Sequence, residues 1–145
     1  LGEYEEKFEK SGLSPVCTAP DHELYVEADG RHLWRGIDNL LGNCVKYAMP
    51  GTRVYLDVKA WDGNVVLFVK NVSREPLNIP ADRLMERFVR GEESRTTEGS
   101  GLGLSIARSL TELQGGAFRL DIDGDLFKAV VSFPECRALT AAPPL

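Results

Sequence analysis

The chain has 145 residues, of which 43% are hydrophobic and 27% are charged, and its formal net charge is -5. These values are typical of one soluble globular domain that is large enough to bury a core without disulfides. The negative balance argues against nucleic-acid binding, and the apolar runs are too short to span a bilayer.

The three cysteines, Cys17, Cys44 and Cys136, are odd in number and irregularly spaced, which fits neither a disulfide framework nor a zinc site. We therefore expect a reducing, cytoplasmic compartment. Cys44 falls among apolar helix positions and is predicted to pack in the core. The two histidines, His22 and His32, are expected at the surface.

The first half of the chain predicts two short strands, a long helix and a hairpin. Residues 4–10 are charged and helix-permissive, and strand-like stretches follow at 16–18 and 24–27. Asp29 is a good N-cap for a helix over residues 31–48. Apolar residues recur along this helix at spacings of three and four: Leu33, Ile37, Leu40, Leu41, Cys44, Val45 and Ala48. The alternation at 53–60 and the apolar run at 65–69 then predict strands that turn at Asp62 and Gly63.

The second half predicts a further helix and a final hairpin. Residues 71–79 are irregular, 81–88 favour a short helix, and 89–101 have the composition of a mobile loop. The other predictions are a helix at 102–114, with Leu102, Ile106, Leu110 and Leu113 on one face, strands at 117–122 and 126–133, and a loosely held tail at 134–145. This order indicates a single α+β domain over residues 1–145, a two-layer sandwich with a mostly antiparallel sheet and helices on one face.

One face of the long helix carries polar residues that suit a nucleotide. At 100° per residue, Asn39, Asn43, Lys46 and Tyr47 fall within a stripe about 100° wide. Amide oxygens suit Mg²⁺, an ammonium group neutralises phosphate, and an aromatic ring can lie against a base. A solvated amphipathic helix explains the same pattern equally well.

A glycine-rich segment precedes the second long helix. Gly99, Ser100, Gly101, Leu102 and Gly103 stand where the helix begins, so free N–H groups and the helix dipole could cradle a phosphate. The spacing is neither the Rossmann nor the Walker pattern, and a flexible hinge is an equal alternative.

Arginines precede these glycines in the predicted loop. Arg90 and Arg95 could fold over a triphosphate. By itself, the stretch is more typical of a solvated charged loop.

In this order and spacing, the three segments resemble the N box, F box and G2 box of sensor histidine kinases, in the GHKL ATPase superfamily. The resemblance covers residues 29–133 and implies a Bergerat-type α/β sandwich. It implies that Asn43 binds Mg²⁺, that Asn39 supports the phosphates or the metal, and that Lys46 contacts phosphate. Tyr47 would cover the adenine, Arg90 and Arg95 would approach the phosphates, and residues 99–103 would form the G2 turn.

Two positions depart from the family pattern. Asn71 aligns with the G1-box Asp that accepts a hydrogen bond from the adenine amino group, and Ser73 aligns with the first G1 glycine. An amide can accept from adenine but, when turned over, can also donate to guanine. Asn39 distinguishes kinases from hydrolases within the superfamily, because the hydrolases carry there a Glu that activates water, and an amide cannot act as a general base.

The resemblance therefore implies Mg²⁺-ATP binding and transfer of the γ-phosphoryl group to a histidine on the dimerisation domain of the parent kinase. A response regulator would act downstream, and neither nucleic acid nor direct membrane contact is expected. Neither His22 nor His32 has the context of a phosphoacceptor, so the acceptor domain is expected to lie outside this chain. The alternative is a nucleotide-binding regulatory module whose degenerate G1 box leaves little kinase activity.

Overall fold

The protein is described from a computed structural model, which covers residues 2–77 and 102–136. The elements are α1 (Gly2–Lys10), β1 (Ser14–Thr18), β2 (Tyr25–Val26), α2 (Gly30–Tyr47), β3 (Arg53–Trp61), β4 (Asn64–Val72), α3 (Leu102–Leu113), β5 (Ala117–Asp123) and β6 (Leu126–Cys136). The predicted helix at 81–88 and loop at 89–101 lie outside the described residues.

The strands form one mixed sheet that is mostly antiparallel, as predicted. β1 pairs with β3 in parallel, and β3–β4, β4–β6, β5–β6 and β2–β6 are antiparallel pairs. The two hairpins turn at the predicted places, where Gly63 and Gly124 adopt positive φ angles that favour glycine. The central strands β4 and β6 therefore carry the inner face against which the helices pack.

The core lies between one face of this sheet and the helices, which confirms the predicted two-layer α+β sandwich. Leu40, Leu41 and Cys44 of α2 are buried against inner-face residues such as Val69 and Ala129. The predicted α2 begins as expected, because the Asp29 carboxylate accepts hydrogen bonds from the backbone N–H groups of Arg31 and His32.

The first helix contributes more to the core than its charged sequence indicated. Tyr4 and Phe8, four residues apart, lie on one face and are 3% and 0% exposed. The Tyr4 hydroxyl also donates to the backbone carbonyl of Asp38 at 3.0 Å, which fixes α1 on α2. The four-residue spacing of these two aromatic residues was the sequence signal for this buried face, and the prediction did not use it.

The predicted face of the third helix is wrong. Its buried residues are Leu104, Ala107 and Thr111, whereas Leu113 is 75% exposed. This face meets α2, where the buried Gly36 lies against the backbone of Ala107, so the two helices touch through small residues. Thr111 is accommodated because its hydroxyl donates to the Ala107 carbonyl.

Two boundaries also differ from the prediction. β4 continues to Val72, so Asn71 lies in a central strand rather than in an irregular segment. β6 continues through Pro134 to Cys136, because its last two residues pair with β2. Residues 134–136, which were expected in a loosely held tail, are therefore part of a strand, and residues 137–145 lie outside the described part.

The cysteines and histidines lie where the sequence placed them. Cys44 is buried, Cys17 and Cys136 are exposed, and all three are free thiols. His22 and His32 are exposed. Within residues 2–77 and 102–136, no helix has the length and apolar character needed to cross a membrane.

Candidate functional site

The polar stripe predicted on α2 is present. Asn39, Asn43 and Lys46 are half-buried, while the neighbouring Leu40 and Cys44 face the core. The helix therefore packs on the sheet with one side and presents amides and a cation with the other, as its 3.6-residue period requires.

Asn39 has an unsatisfied donor. Its Nδ2 is sealed from solvent and, within the described part of the chain, is the one buried side-chain nitrogen or oxygen without a hydrogen-bond partner. Buried polar groups are normally paired, and an unpaired donor costs about 1–3 kcal/mol. Exceptions of this kind call for a physical explanation, of which an unfilled ligand contact is one.

At the C-terminal end of the stripe, Lys46 and Tyr47 form a contact of their own. The Lys46 ammonium nitrogen lies 5.1 Å from the centroid of the Tyr47 ring, within the range of a cation–π interaction. This contact brings positive charge next to an aromatic face at one end of α2. A ligand that carries both a phosphate and a base could contact the two groups together.

Backbone hydrogen bonds join the end of α2 to the end of β4. Met49 N–H donates to the Val72 carbonyl at 2.8 Å, and Arg74 N–H donates to the Tyr47 carbonyl at 3.0 Å. Ala48 and Ser73 form an isolated antiparallel bridge between them. The N-box and G1-box segments, which are more than twenty residues apart in the sequence, therefore form one continuous surface.

Arg74 has a positioning role that the sequence did not reveal. Its guanidinium group donates to the backbone carbonyl of Lys46, in the last turn of α2. Helix carbonyls at this end lack internal partners and carry partial negative charge, so a cation there is favourable. No local pattern around Arg74 pointed to this role, because its partner is 28 residues away in the sequence.

Asn71 lies in the sheet beneath α2 and contacts the core-facing side of this helix at Cys44. It is 2% exposed, and its Nδ2 donates to the Sγ of Cys44 on α2 at 3.1 Å. Burial raises the pKa of the Cys44 thiol to about 12, so the sulfur is neutral at physiological pH. The predicted base-reading residue is thus fixed by a buried contact with the N-box helix.

The predicted glycine and arginine segments lie mostly outside the part of the chain that the structure describes. Arg90, Arg95, Gly99, Ser100 and Gly101 lie outside the described residues. The backbone of Leu102 and Gly103 forms the first turn of α3, so the predicted helix does begin directly after the glycines. Their contribution to a phosphate site stays a prediction.

A separate apolar cavity of about 430 Å³ lies toward the other half of α2. Leu33, Trp34 and Ile37 line it together with strand residues from the inner face of the sheet. It includes none of the polar stripe residues and not Asn71. Its lining lacks the charged and amide groups that a nucleotide requires, so it is not the candidate site.

Amide oxygens on α2 are the metal-binding groups that the described part of the candidate site offers. Within residues 2–77 and 102–136, no group of three His, Cys, Asp or Glu side chains is placed to hold a metal ion. Mg²⁺ needs few protein ligands because it keeps several waters and binds substrate phosphates. The amide oxygens of Asn39 and Asn43 would suffice for such a site.

The sandwich fold and the amide-bearing helix face are those of an ATPase domain, and comparison with known families agrees. Residues 28–135 match the family described as histidine kinase-, DNA gyrase B- and HSP90-like ATPase (HATPase_c), and the chain belongs to this family. Membership implies that the chain binds ATP.

Curated relatives are sensor histidine kinases. WalK of Bacillus subtilis (strain 168) is 32% identical over 106 residues, which is 70% of this chain and 17% of WalK. YcbM of the same organism is 31% identical over 115 residues, which is 78% of this chain and 37% of YcbM. The chain therefore spans well under two thirds of the length of these relatives.

Solved structures of histidine kinases share the fold. The nucleotide-free catalytic domain of histidine kinase ThkA superposes with a TM-score of 0.74 at 25% identity, covering 92% of this chain and 86% of that domain. Full-length ShkA in complex with AMPPNP gives a TM-score of 0.75 at 25% identity, covering 94% of this chain and 28% of ShkA. The sequence-based recognition of a histidine kinase catalytic domain is confirmed.

Proposed function

We propose that this chain binds Mg²⁺-ATP and transfers the γ-phosphoryl group to a histidine on the dimerisation domain of its parent sensor kinase, in the cytoplasm. A response regulator would then receive the phosphoryl group. The observation that carries the proposal is the half-buried stripe of α2, whose Asn39 Nδ2 lacks a partner, next to the Lys46–Tyr47 contact. Membership of the ATPase family and the names of the curated relatives support it.

Each residue of the candidate site has a proposed role that follows from its chemistry. Asn43 would hold Mg²⁺, which supplies charge neutralisation on the phosphates when it is bound, and the unpaired Nδ2 of Asn39 would donate to a phosphate oxygen. Lys46 adds a further positive charge, and the Tyr47 ring offers a surface for the base. Arg90, Arg95 and the turn at residues 99–103 would complete the phosphate contacts.

The nature of Asn39 favours transfer to a protein over hydrolysis. An amide cannot remove a proton from water, so this position provides no general base for hydrolysis. Phosphoryl transfer depends mostly on positioning and on neutralising charge, which the stripe can provide without a base. The nucleophile would then be a histidine supplied by the dimerisation domain.

The test is incubation with ATP labelled at the γ-phosphate and Mg²⁺, with and without a dimerisation domain of the same kinase that carries the acceptor histidine. We expect label on the acceptor only when both parts are present, and none when its histidine is replaced by alanine. Asn43→Ala in this chain is expected to abolish transfer.

A second candidate function, a nucleotide-binding regulatory module without kinase activity, is favoured by one observation. Asn71 stands where a carboxylate is expected, and it is buried without a charged partner among the described residues. Saturable ATP binding without any transfer to the acceptor would select this alternative and contradict the kinase proposal.

A further inference from the structure

The buried contact between Cys44 and Asn71 bears on how the site reads the base. The two residues come from different elements, the N-box helix α2 and the central strand β4, and are 27 positions apart in the sequence. Their side chains are 0% and 2% exposed. Neither the polar stripe nor the proposed transfer step accounts for a thiol at this point.

The amide of Asn71 has two chemically opposite ends, and the structure distinguishes them. Its Nδ2 donates to the Cys44 Sγ at 3.1 Å, whereas no donor from the described residues reaches its Oδ1. Asn71 Oδ1 is also not one of the side-chain atoms that are both closed to solvent and without a partner. Among the described residues, Asn39 Nδ2 is the one atom of that kind. The acceptor end of the amide is therefore the end left for a ligand.

We infer that Cys44 is a positioning residue for base specificity, because its sulfur holds the Asn71 amide with Oδ1 toward the nucleotide and so selects a purine with an amino group at position 6. This inference rests on the proposed nucleotide site. It removes the alternative in which the amide turns over and donates to a guanine carbonyl.

Two energetic costs disfavour the turned-over orientation of the Asn71 amide. Turning it over would break the N–H···S contact and leave only the thiol, a weak donor, facing the amide oxygen. It would also leave an NH₂ group without a protein partner in the nucleotide-free state, and orphaned buried N–H groups are tolerated less well than under-satisfied carbonyl oxygens.

The test compares the binding of ATP and inosine triphosphate, which carries a carbonyl in place of the amino group at position 6. Titration of the unchanged chain with each nucleotide in Mg²⁺ should show tighter binding of ATP. Equal binding, or tighter binding of inosine triphosphate, would overturn the inference without any variant being made.

Variants then isolate the thiol. Cys44→Ala removes the acceptor of the Nδ2 hydrogen bond and should narrow the ratio of the two affinities by about threefold to tenfold. Cys44→Ser keeps a hydroxyl that can accept and should retain most of the preference. Cys17→Ala, at an exposed free thiol, is the control and should leave the ratio unchanged.

The ratio of the ATP and inosine triphosphate affinities separates a specificity role of Cys44 from a structural one, because a loss of packing at Cys44 would weaken the binding of both nucleotides alike. Saturable ATP binding with an unchanged ratio in Cys44→Ala would overturn this inference alone. Absence of saturable ATP binding by the unchanged chain would overturn the proposed function, and this inference with it.

Discussion

Replacement of Asn39 by leucine should stabilise the nucleotide-free protein while it damages nucleotide binding. The Nδ2 of Asn39 is buried and unpartnered, and a donor in that state costs about 1–3 kcal/mol. Leucine is similar in size and has a better helix propensity by about 0.5 kcal/mol. We therefore expect the free energy of unfolding to rise by about 1–2 kcal/mol, since Asn39 is only half-buried and part of the penalty is relieved locally.

The matched control is Asn71→Leu, which replaces a buried amide whose donor is paired. Asn71 Nδ2 is bound to Cys44, so its replacement should lower the free energy of unfolding by about 1–3 kcal/mol. Opposite signs at the two asparagines would show that the Asn39 donor is unsatisfied in the nucleotide-free protein, whereas the Asn71 donor is satisfied by Cys44.

The assay is thermal and chemical unfolding with and without Mg²⁺-ATP. Without nucleotide, Asn39→Leu should raise the melting temperature by a few degrees. Nucleotide should raise the melting temperature of the variant by less than that of the unchanged chain, because loss of a hydrogen bond to a charged group weakens binding by about tenfold to a hundredfold. A nucleotide-free Asn39→Leu protein that is less stable by more than about 1 kcal/mol would refute the reasoning, since the amide would then be structural.

Three further predictions follow from the same contacts. The pKa of Cys44 is raised from 9.0 to about 12, so between these pH values the unfolded chain releases a proton that the folded state keeps. The free energy of unfolding should therefore fall as the pH rises, by up to about 1.4 kcal/mol per pH unit. An equal pH dependence of stability in Cys44→Ala would contradict this prediction. Gly116→Ala should cost about 1–3 kcal/mol in urea unfolding, because its Cβ would lie 2.7 Å from the Ser132 carbonyl oxygen; unchanged stability would show that β5 can shift. Arg74→Ala should cost about 1 kcal/mol in the same assay by freeing the Lys46 carbonyl, whereas no loss would mean that water replaces the guanidinium.

The sequence predicted well those elements whose signal is local. The α2 helix, its Asp29 cap and the two hairpin turns follow from period, capping and turn residues close together in the chain. The polar stripe of Asn39, Asn43, Lys46 and Tyr47 followed from helical spacing alone. The order of these motifs was also enough to indicate the family.

Features that depend on distant partners were not predictable in this way. Asn71 lies in a central strand that pairs with β6, and Cys44, 27 residues earlier, accepts a hydrogen bond from its Nδ2. The buried face of α3 is set by the small residues Gly36 and Ala107, where the two helices meet, and not by its leucines. β6 extends past Pro134 because β2, from the start of the chain, pairs with its end.

The most direct test of the account is calorimetric titration of this chain with ATP, in Mg²⁺ and in excess chelator, for the unchanged protein and for Asn43→Ala. We predict saturable binding in Mg²⁺ with a dissociation constant between micromolar and millimolar, about 4–8 kcal/mol, with weaker binding in chelator. Asn43→Ala should bind equally weakly in both conditions. Absence of saturable binding at millimolar ATP, or an Asn43→Ala protein whose Mg²⁺-dependent binding is unchanged, would contradict the assignment of the α2 face as the nucleotide site.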